Sequence, residues 1–522
     1  MLLLGLVALA SVAVLYSIDH YLNNAGFGNP IAHYWNFDDE AVSNSIGVLS
    51  SIIAAVLGIV LTVISIVVQL AATRFSPAVT EMFFRDRTNR SVMALYVIGC
   101  VMGFWTAFGV NSGWVPRVSL TVMLATSTLG FLVMAPYFAY VFRFLSPENV
   151  VLRIKREARE VASKPVRGSD TDERQASSLS LTEQLTDIAI NAISQKDKII
   201  ATASVDAVRD LTCAYLSAKP SRTDPWFGVG DVIRRNPDFA SMAEDSVEDL
   251  EADGTWFEFK QLRQYQAIYT EALGAMRDIN YVIAINTRII AETALDAKEP
   301  EALSLAVKFF NTYLRATLNQ NDVRTAYTIL NQYRIMAEKV LKAGDSEMAL
   351  RIAGHIKYYG HLSYTKRLAF VTETVAYDLG ALCEYAHTTK SPLEDDLLSI
   401  FLEVDPSTSE GEVQETSLRG VRKAQVKLAT FYLLEEAEPL ARRVWEDMRH
   451  ETAERLSSIR DELLGIVAKD FWEVSDRGGN FDYLEPARKE MLKVFFGWFA
   501  EVSGELRTVS LPASETEKSD QP

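Results

Sequence analysis

Apolar residues gather into four long runs near the N-terminus, at 2–18, 45–72, 91–110 and 118–145, and afterwards recur mainly at helical spacings of three and four. A helix crosses a bilayer core with ~20 apolar residues, so the last three runs are predicted membrane spans. Those at 45–72 and 118–145 exceed that length and are expected to tilt or to project beyond the hydrocarbon. The first run is shorter, and Ala8-Leu9-Ala10 has the form of a signal-peptidase site, yet the basic segment that normally opens a signal peptide is missing. A fourth span and a cleaved signal both stay open there, with the span the better fit.

The run at 45–72 carries a second pattern. Gly47, Ser51, Ala55, Gly58, Thr62, Ser65, Gln69 and Ala72 recur at steps of three and four, which gathers them on one helix face and leaves Ile, Val and Leu on the others. Small residues let helices approach closely, and Gln69 facing lipid would be costly, so this face is expected against protein or water. The third run holds Gly99 and Gly103 as a GxxxG pair, and the fourth holds Thr121, Ala125, Thr128, Ala135 and Ala139 with Pro136 as an expected kink. Two readings follow: the small faces bury one another in a tight bundle, which is preferred, or the second run lines a pore in an oligomer. No charged residue lies in the core of the last three runs, which argues against a proton relay or ion-coupled transport.

Charge sets the orientation. Arg74, Arg85, Arg87 and Arg90 separate the second and third runs, and Arg143, Arg153, Lys155, Arg156 and Arg159 follow the fourth, whereas residues 19–44 contain no Lys or Arg. Positive residues stay on the cytoplasmic side, so both termini are expected in the cytoplasm. Residues 1–145 hold six Arg, no Lys and six acidic residues, so the whole net charge of −16 belongs to the remainder of the chain. An acidic domain of that kind repels phosphate backbones, which argues against nucleic-acid binding. Cys100, Cys213 and Cys383 are isolated and form no disulfide or CxxC framework.

Beyond the spans, residues 146–180 read as a basic juxtamembrane helix, with Val150, Val151, Ile154 and Ala158 along one side, followed by a polar linker from Val166. That helix either lies on anionic lipid or continues the fourth span. Residues 181–506 read as an all-α domain, with helices near 181–194, 197–218, 256–276, 278–297, 299–319, 322–343, 346–359, 364–388, 415–436, 437–468 and 484–504. Punctuation at Asn321-Asp322, Gly344-Asp345-Ser346 and Gly360 gives a hairpin cadence that suggests an α-solenoid-like stack, although no diagnostic repeat residues are present. Residues 219–255 and 404–413 read as loops, and 507–522 as a disordered tail.

Candidate chemistry is sparse. Gly228-Val229-Gly230 lacks a third glycine and reads as a turn, and Cys383 with His387 has no second pair to complete a metal site. His355 and His361 fall on different faces, Tyr358, Tyr359, Tyr364, Phe309 and Phe310 are expected in helix-pair cores, and Glu435-Glu436-Ala437-Glu438 is expected on a solvated face. No catalytic residue, cofactor site or metal site is expected.

The segment Val68-Gln69-Leu70-Ala71-Ala72-Thr73-Arg74-Phe75-Ser76-Pro77, followed by Phe83-Phe84-Arg85-Asp86-Arg87, resembles the predicted bacterial membrane proteins of unknown function grouped as DUF2254. There an apolar helix runs into a Gln-Phe-Ser-Pro-Arg turn and a Phe-x-x-Asp segment; here Arg74 stands for the Gln and Ala78 for the Arg. The likeness is close over 44–112, fainter over 185–212, where Asp187 to Ser194 echoes a family helix, and not traceable afterwards. The resemblance implies a bacterial inner-membrane protein and no activity; the apolar runs make it multi-pass, in the inner membrane. Independently, Phe75, Ser76 and Pro77 read as a helix stop and cap, and Asp86 as part of the same boundary motif. The residues therefore predict a membrane-anchored, oligomeric sensor or scaffold whose helical domain binds a protein partner. The alternatives are a channel lined by the second span and, third, an enzyme with an unrecognised site.

Overall fold

A computed structural model describes residues 39–74, 83–109, 117–144, 146–163, 171–219, 225–404, 412–470 and 477–503. Every regular element among them is helical. The first apolar run, Phe75, Ser76 and Pro77, and the tail 507–522 lie outside the described residues. The chain divides into two compact units, one formed by residues 1–158 with 183–207 and the other by 159–182 with 208–522.

In the first unit three long helices pack on one another: α1 (Asp39–Arg74), α2 (Arg87–Gly109) and α3 (Arg117–Phe144). At a rise of ~1.5 Å per residue the 36 residues of α1 extend about 54 Å, well past a ~30 Å hydrocarbon layer. Two stretches among the described residues are long and apolar enough to cross a membrane, Asn44–Gln69 and Val122–Phe144. The contact between helices is set by glycines. A Cβ on Gly99 would meet Thr126 Cγ2 at 3.5 Å and Ile53 Cγ2 at 3.7 Å, and one on Gly130 would meet the Tyr96 ring at 3.3 Å. Tyr96 donates its hydroxyl to the Gly130 carbonyl at 2.8 Å, which fastens α2 to α3.

The fourth apolar run does not continue into the juxtamembrane segment. α3 ends at Phe144, and a new helix, α4 (Pro147–Ser163), starts with proline in its first turn, where the absent N–H is harmless. The apolar side of α4 (Val150, Val151, Ile154, Ala158 and Ala162) is buried in protein, so it is not the side that meets lipid. The expected linker is also corrected: α5 (Thr171–Ser194) begins ten residues before the predicted helix at 181, and α6 (Lys198–Ser217) follows it.

In the second unit, residues 225–252 fold into short helical turns that bury Trp226, Phe227, Ile233 and Phe239 rather than an open loop. Next come α7 (Trp256–Ala272), α8 (Arg277–Asp296), α9 (Pro300–Asn319), α10 (Val323–Ala343), α11 (Ser346–Thr365), α12 (Ala369–Thr388), α13 (Glu394–Leu402) and α14 (Glu412–Leu434). From α7 to α12 each helix packs on its successor and on the one after that. The predicted helix at 437–468 is two, α15 (Glu438–Met448) and α16 (Ala453–Gly465), and α17 (Pro486–Ser503) closes the described chain. Gly360 does not end a helix. It lies inside α11, where an added Cβ would come within 2.8 Å of Val375 Cγ1, so it marks close approach of α12. Phe309, Phe310, Tyr359 and Tyr364 are core residues as expected, whereas Tyr358 is 46% exposed, its hydroxyl accepting from Arg315 at 2.9 Å.

One turn recurs. Lys196, Lys298, Asn321, Arg367, Lys390 and Glu436 all take φ between 53° and 60°, and each ends a helix. Lys298 N–H bonds Leu295 O at 3.1 Å and Glu299 N–H bonds Ala294 O at 2.9 Å; the same pair forms at Lys390, with His387 O at 3.0 Å and Ala386 O at 2.8 Å. This is the double bond of a Schellman cap, built without the glycine that usually supplies it. Glu436 thus belongs to an exposed turn rather than to a helix face. A side chain in the left-handed region costs about 1–2 kcal/mol. Lys298→Gly and Lys390→Gly are accordingly expected to raise the denaturation midpoint, each by about 0.5–1 kcal/mol of stability. Gly360→Ala is expected to lower stability by about 1–3 kcal/mol through overpacking against Val375. Chemical denaturation followed by circular dichroism reads all three; a neutral Gly360→Ala would refute the packing argument.

Candidate functional site at the membrane boundary

Two features of the first unit stand out. One is a polar clasp that ties three elements at the end of α3. Asp86 sits immediately before α2, and its Oδ1 accepts from the Thr88 and Asn89 amides at 2.9 and 3.3 Å, satisfying N–H groups that a helix start leaves without partners. The same carboxylate accepts from the Tyr140 hydroxyl of α3 at 2.5 Å, and its Oδ2 from Arg153 Nη1 of α4 at 3.4 Å. Asn89, one turn on and 2% exposed, accepts from the Tyr137 hydroxyl at 2.5 Å and donates Nδ2 to Phe83 O at 3.3 Å.

Aromatic rings close around these bonds. Phe83 is fully buried and meets Phe144 edge-on at 5.2 Å, and the Arg153 guanidinium lies 3.9 Å from the centre of the Phe144 ring. Burial pulls the Asp86 carboxyl toward the neutral form. The Tyr140 hydroxyl, the two backbone amides and Arg153 outweigh it and hold the group below the ordinary aspartate value. Beside the clasp, Tyr140, Arg143, Phe144, Asn149, Arg153 and Arg156 border a notch of about 230 Å³. Arg143 and Arg156 form no ion pair among the described residues.

The second feature is the small-residue face of α1. Gly47, Ser51, Ala55, Gly58, Thr62, Ser65 and Gln69 are all exposed, while Ile46, Ile53, Val60, Ile64 and Val68 turn inward. Mutual burial of the small faces, the preferred expectation, therefore fails for α1 among the described residues: its branched side chains make the contact with α2 and α3. A Cβ at Gly47 or Gly58 would meet nothing within 4 Å. Two hydroxyls on this face are satisfied inside their own helix, Ser51 donating to Gly47 O and Thr62 to Gly58 O, both at 2.8 Å. Gly99 stands at the meeting of α1, α2 and α3. Gly103 lies one turn further along α2, and its surroundings fall outside the described residues.

Sequence reading thus picked out Asp86 and the α1 face but missed Asn89, Tyr137, Tyr140 and Arg153. A signal for them existed: Asp86 and Asn89, like Tyr137 and Tyr140, are three apart, and such pairs share a helix face. The weak metal pair dissolves, since His387 Nδ1 engages Glu394 at 2.5 Å and Cys383 is buried. No group of three potential metal ligands occurs among the described residues. Gly228 is a turn, its N–H bonding Pro225 O at 3.2 Å.

Residues 1–182 match the family model described as "Predicted membrane protein (DUF2254)", in agreement with the resemblance carried by Gln69 to Asp86. No curated protein and no solved structure matches the chain.

Proposed function

We propose, from the membrane-protein family match of the first third of the chain, that the protein is a self-associating multi-pass anchor of the inner membrane with a helical cytoplasmic domain that serves as a scaffold or sensor for a protein partner. The observation that carries this reading is the exposed face of α1. Ile46, Ile53, Val60, Ile64 and Val68 pack inward, while the seam of glycine, serine, threonine and glutamine faces out between the lipid-suited Val48, Ile52, Ile59 and Ile66, a lining that lipid alone solvates poorly. Such a face calls for a close helix neighbour, and a second copy of the chain supplies one. Arg87 and Arg90 at the start of α2 lie with Arg143 at the end of α3 and Arg156 in the notch, the last two forming no ion pair among the described residues, and this one-sided cluster favours cytoplasmic termini and contact with lipid phosphates. The neighbour-and-next-neighbour packing of α7 to α12 favours a stacked, solenoid-like array, an architecture suited to partner binding rather than to catalysis.

A channel is the second reading, favoured by the same exposure of Thr62, Ser65 and Gln69. The back-bonded hydroxyls of Ser51 and Thr62 weigh toward packing, because their donors are already used. Mass photometry of the full chain in nanodiscs is expected to find an oligomer. A uniformly monomeric protein would defeat the self-associating anchor. Conductance altered by Thr62→Leu or Gln69→Leu with unchanged expression would favour the channel over the scaffold.

A further inference from the structure

The second unit contains a cavity of about 400 Å³ bordered by α10, α12, α14 and the segment 477–481, within the size range of small-molecule sites. Three cations and two carboxylates line it: Arg334, Lys427 and Arg477, with Asp378 and Glu384. Both carboxylates are already committed. Asp378 accepts from Arg477 at 2.5 and 3.2 Å and lies 3.4 Å from Arg334 Nε, and Glu384 takes both guanidinium nitrogens of Arg488 at 2.9 and 3.0 Å. Asp482, just outside, is held by Lys423 at 2.6 Å.

Lys427 differs from the other two lining cations. Its ammonium donates to the Phe481 carbonyl at 2.6 Å, lies 5.6 Å from the centre of the Tyr377 ring, and forms no ion pair among the described residues. An ammonium carries three donors, so one carbonyl leaves it under-used. Burial lowers its pKa, opposed by Glu384, Asp482 and Glu485 and assisted by Arg488. A desolvated cation with a single neutral acceptor is costly unless something else meets it. Beside it, the Tyr377 and Phe481 rings stack at 4.7 Å and 12°, and Gly380, Ala381 and Leu428 extend an apolar wall.

We infer that this cavity binds a small organic anion, a single carboxylate or phosphate on an apolar or aromatic body, with the anionic end on Lys427 and the body against the Tyr377–Phe481 side. The committed carboxylates decide the sign of the ligand, because the charge of Asp378 is spent on Arg334 and Arg477 and that of Glu384 on Arg488 behind the wall. Arg334 and Arg477 are balanced by Glu338 and Asp378, so the cationic charge left for a ligand is that of Lys427. The inference stands apart from the membrane reading, since every group it uses lies in the second unit.

Phenyl phosphate is a suitable probe, with benzyl alcohol as its uncharged counterpart and the full chain in detergent as the sample. Isothermal titration calorimetry is expected to show one phenyl phosphate bound per chain and little heat with benzyl alcohol. Lys427→Met is expected to weaken phenyl phosphate by about 10-fold to 100-fold, the range for a hydrogen bond to a charged group. Equal binding of the two probes, or unchanged binding by Lys427→Met, would overturn the proposal. A second readout needs no variant. Pyridoxal 5′-phosphate forms an imine with a lysine amine by loss of water, and borohydride reduces it to a stable adduct that peptide mass spectrometry locates. Lys427 is expected to be labelled ahead of exposed lysines such as Lys469 and to be protected by phenyl phosphate but not by benzyl alcohol. Labelling no faster than at Lys469, or no protection, would also refute the site.

Discussion

Asp86→Ala is expected to loosen the boundary clasp and lower the stability of the first unit by on the order of 3 kcal/mol. Alanine removes an N-cap, the acceptor of the Tyr140 hydroxyl and the Arg153 partner in one step. The Arg153 contact adds little to that figure, because the arginine is 39% exposed and water screens it. Asp86→Asn keeps a good capping side chain and is expected to lose only about 1 kcal/mol, as is Tyr140→Phe. Fluorescence-detected size exclusion after heating ranks the three variants; an Asp86→Ala protein as stable as wild type would remove the clasp from the account. The pH dependence follows from the same carboxylate. Its folded pKa lies below the unfolded value of 3.8, so its contribution is complete above that pH and is lost as pH falls through the lower, folded value. At neutral pH, therefore, small pH changes leave the clasp untouched.

Gly58→Leu and Thr62→Leu carry the second large effect, expected on assembly and not on the fold of one chain. Both positions are exposed, and a Cβ added at Gly58 meets nothing within 4 Å among the described residues. Bulk on a face that needs close helix approach is expected to weaken self-association at least about tenfold, the equivalent of ~1.4 kcal/mol. Leucine at either position also makes that face more comfortable in lipid, which favours the separated chains further. Concentration-dependent energy transfer between labelled chains in vesicles measures the change. Unaltered association in both variants would mean that this face is not the seam.

Much of this was legible because it rests on periodicity. The apolar runs gave α1, α2 and α3 to within a few residues at most ends, and the three-and-four spacing from Gly47 to Gln69 located a single face. Which side that face would take was not legible, since spacing groups residues without saying what packs on them; Ile53 and Val60, not Gly58, proved to make the contact. Helix ends in the second unit were misread for a related reason. Gly360 looked like punctuation but answers to Val375 on a neighbouring helix, while Lys298, Arg367 and Lys390, which resemble ordinary helix residues, take the left-handed turn. The clasp was half legible: Asp86 belongs to a local motif, but Tyr137, Tyr140 and Arg153 lie 48 to 67 residues in sequence from the Asn89 and Asp86 side chains they bond, and only the packing of α2, α3 and α4 brings them together.

The central claim, that the α1 face meets a second copy, is tested most directly by cysteine cross-linking in native membranes. Gly58→Cys on a Cys100→Ser background is expected to form disulfide-linked dimers on mild oxidation, whereas Ile53→Cys, on the inward face, is expected to form none. Cross-linking from Gly58→Cys only to a cysteine placed within residues 2–18 of the same chain would contradict the claim, because the face would then be covered by the chain's own first apolar run.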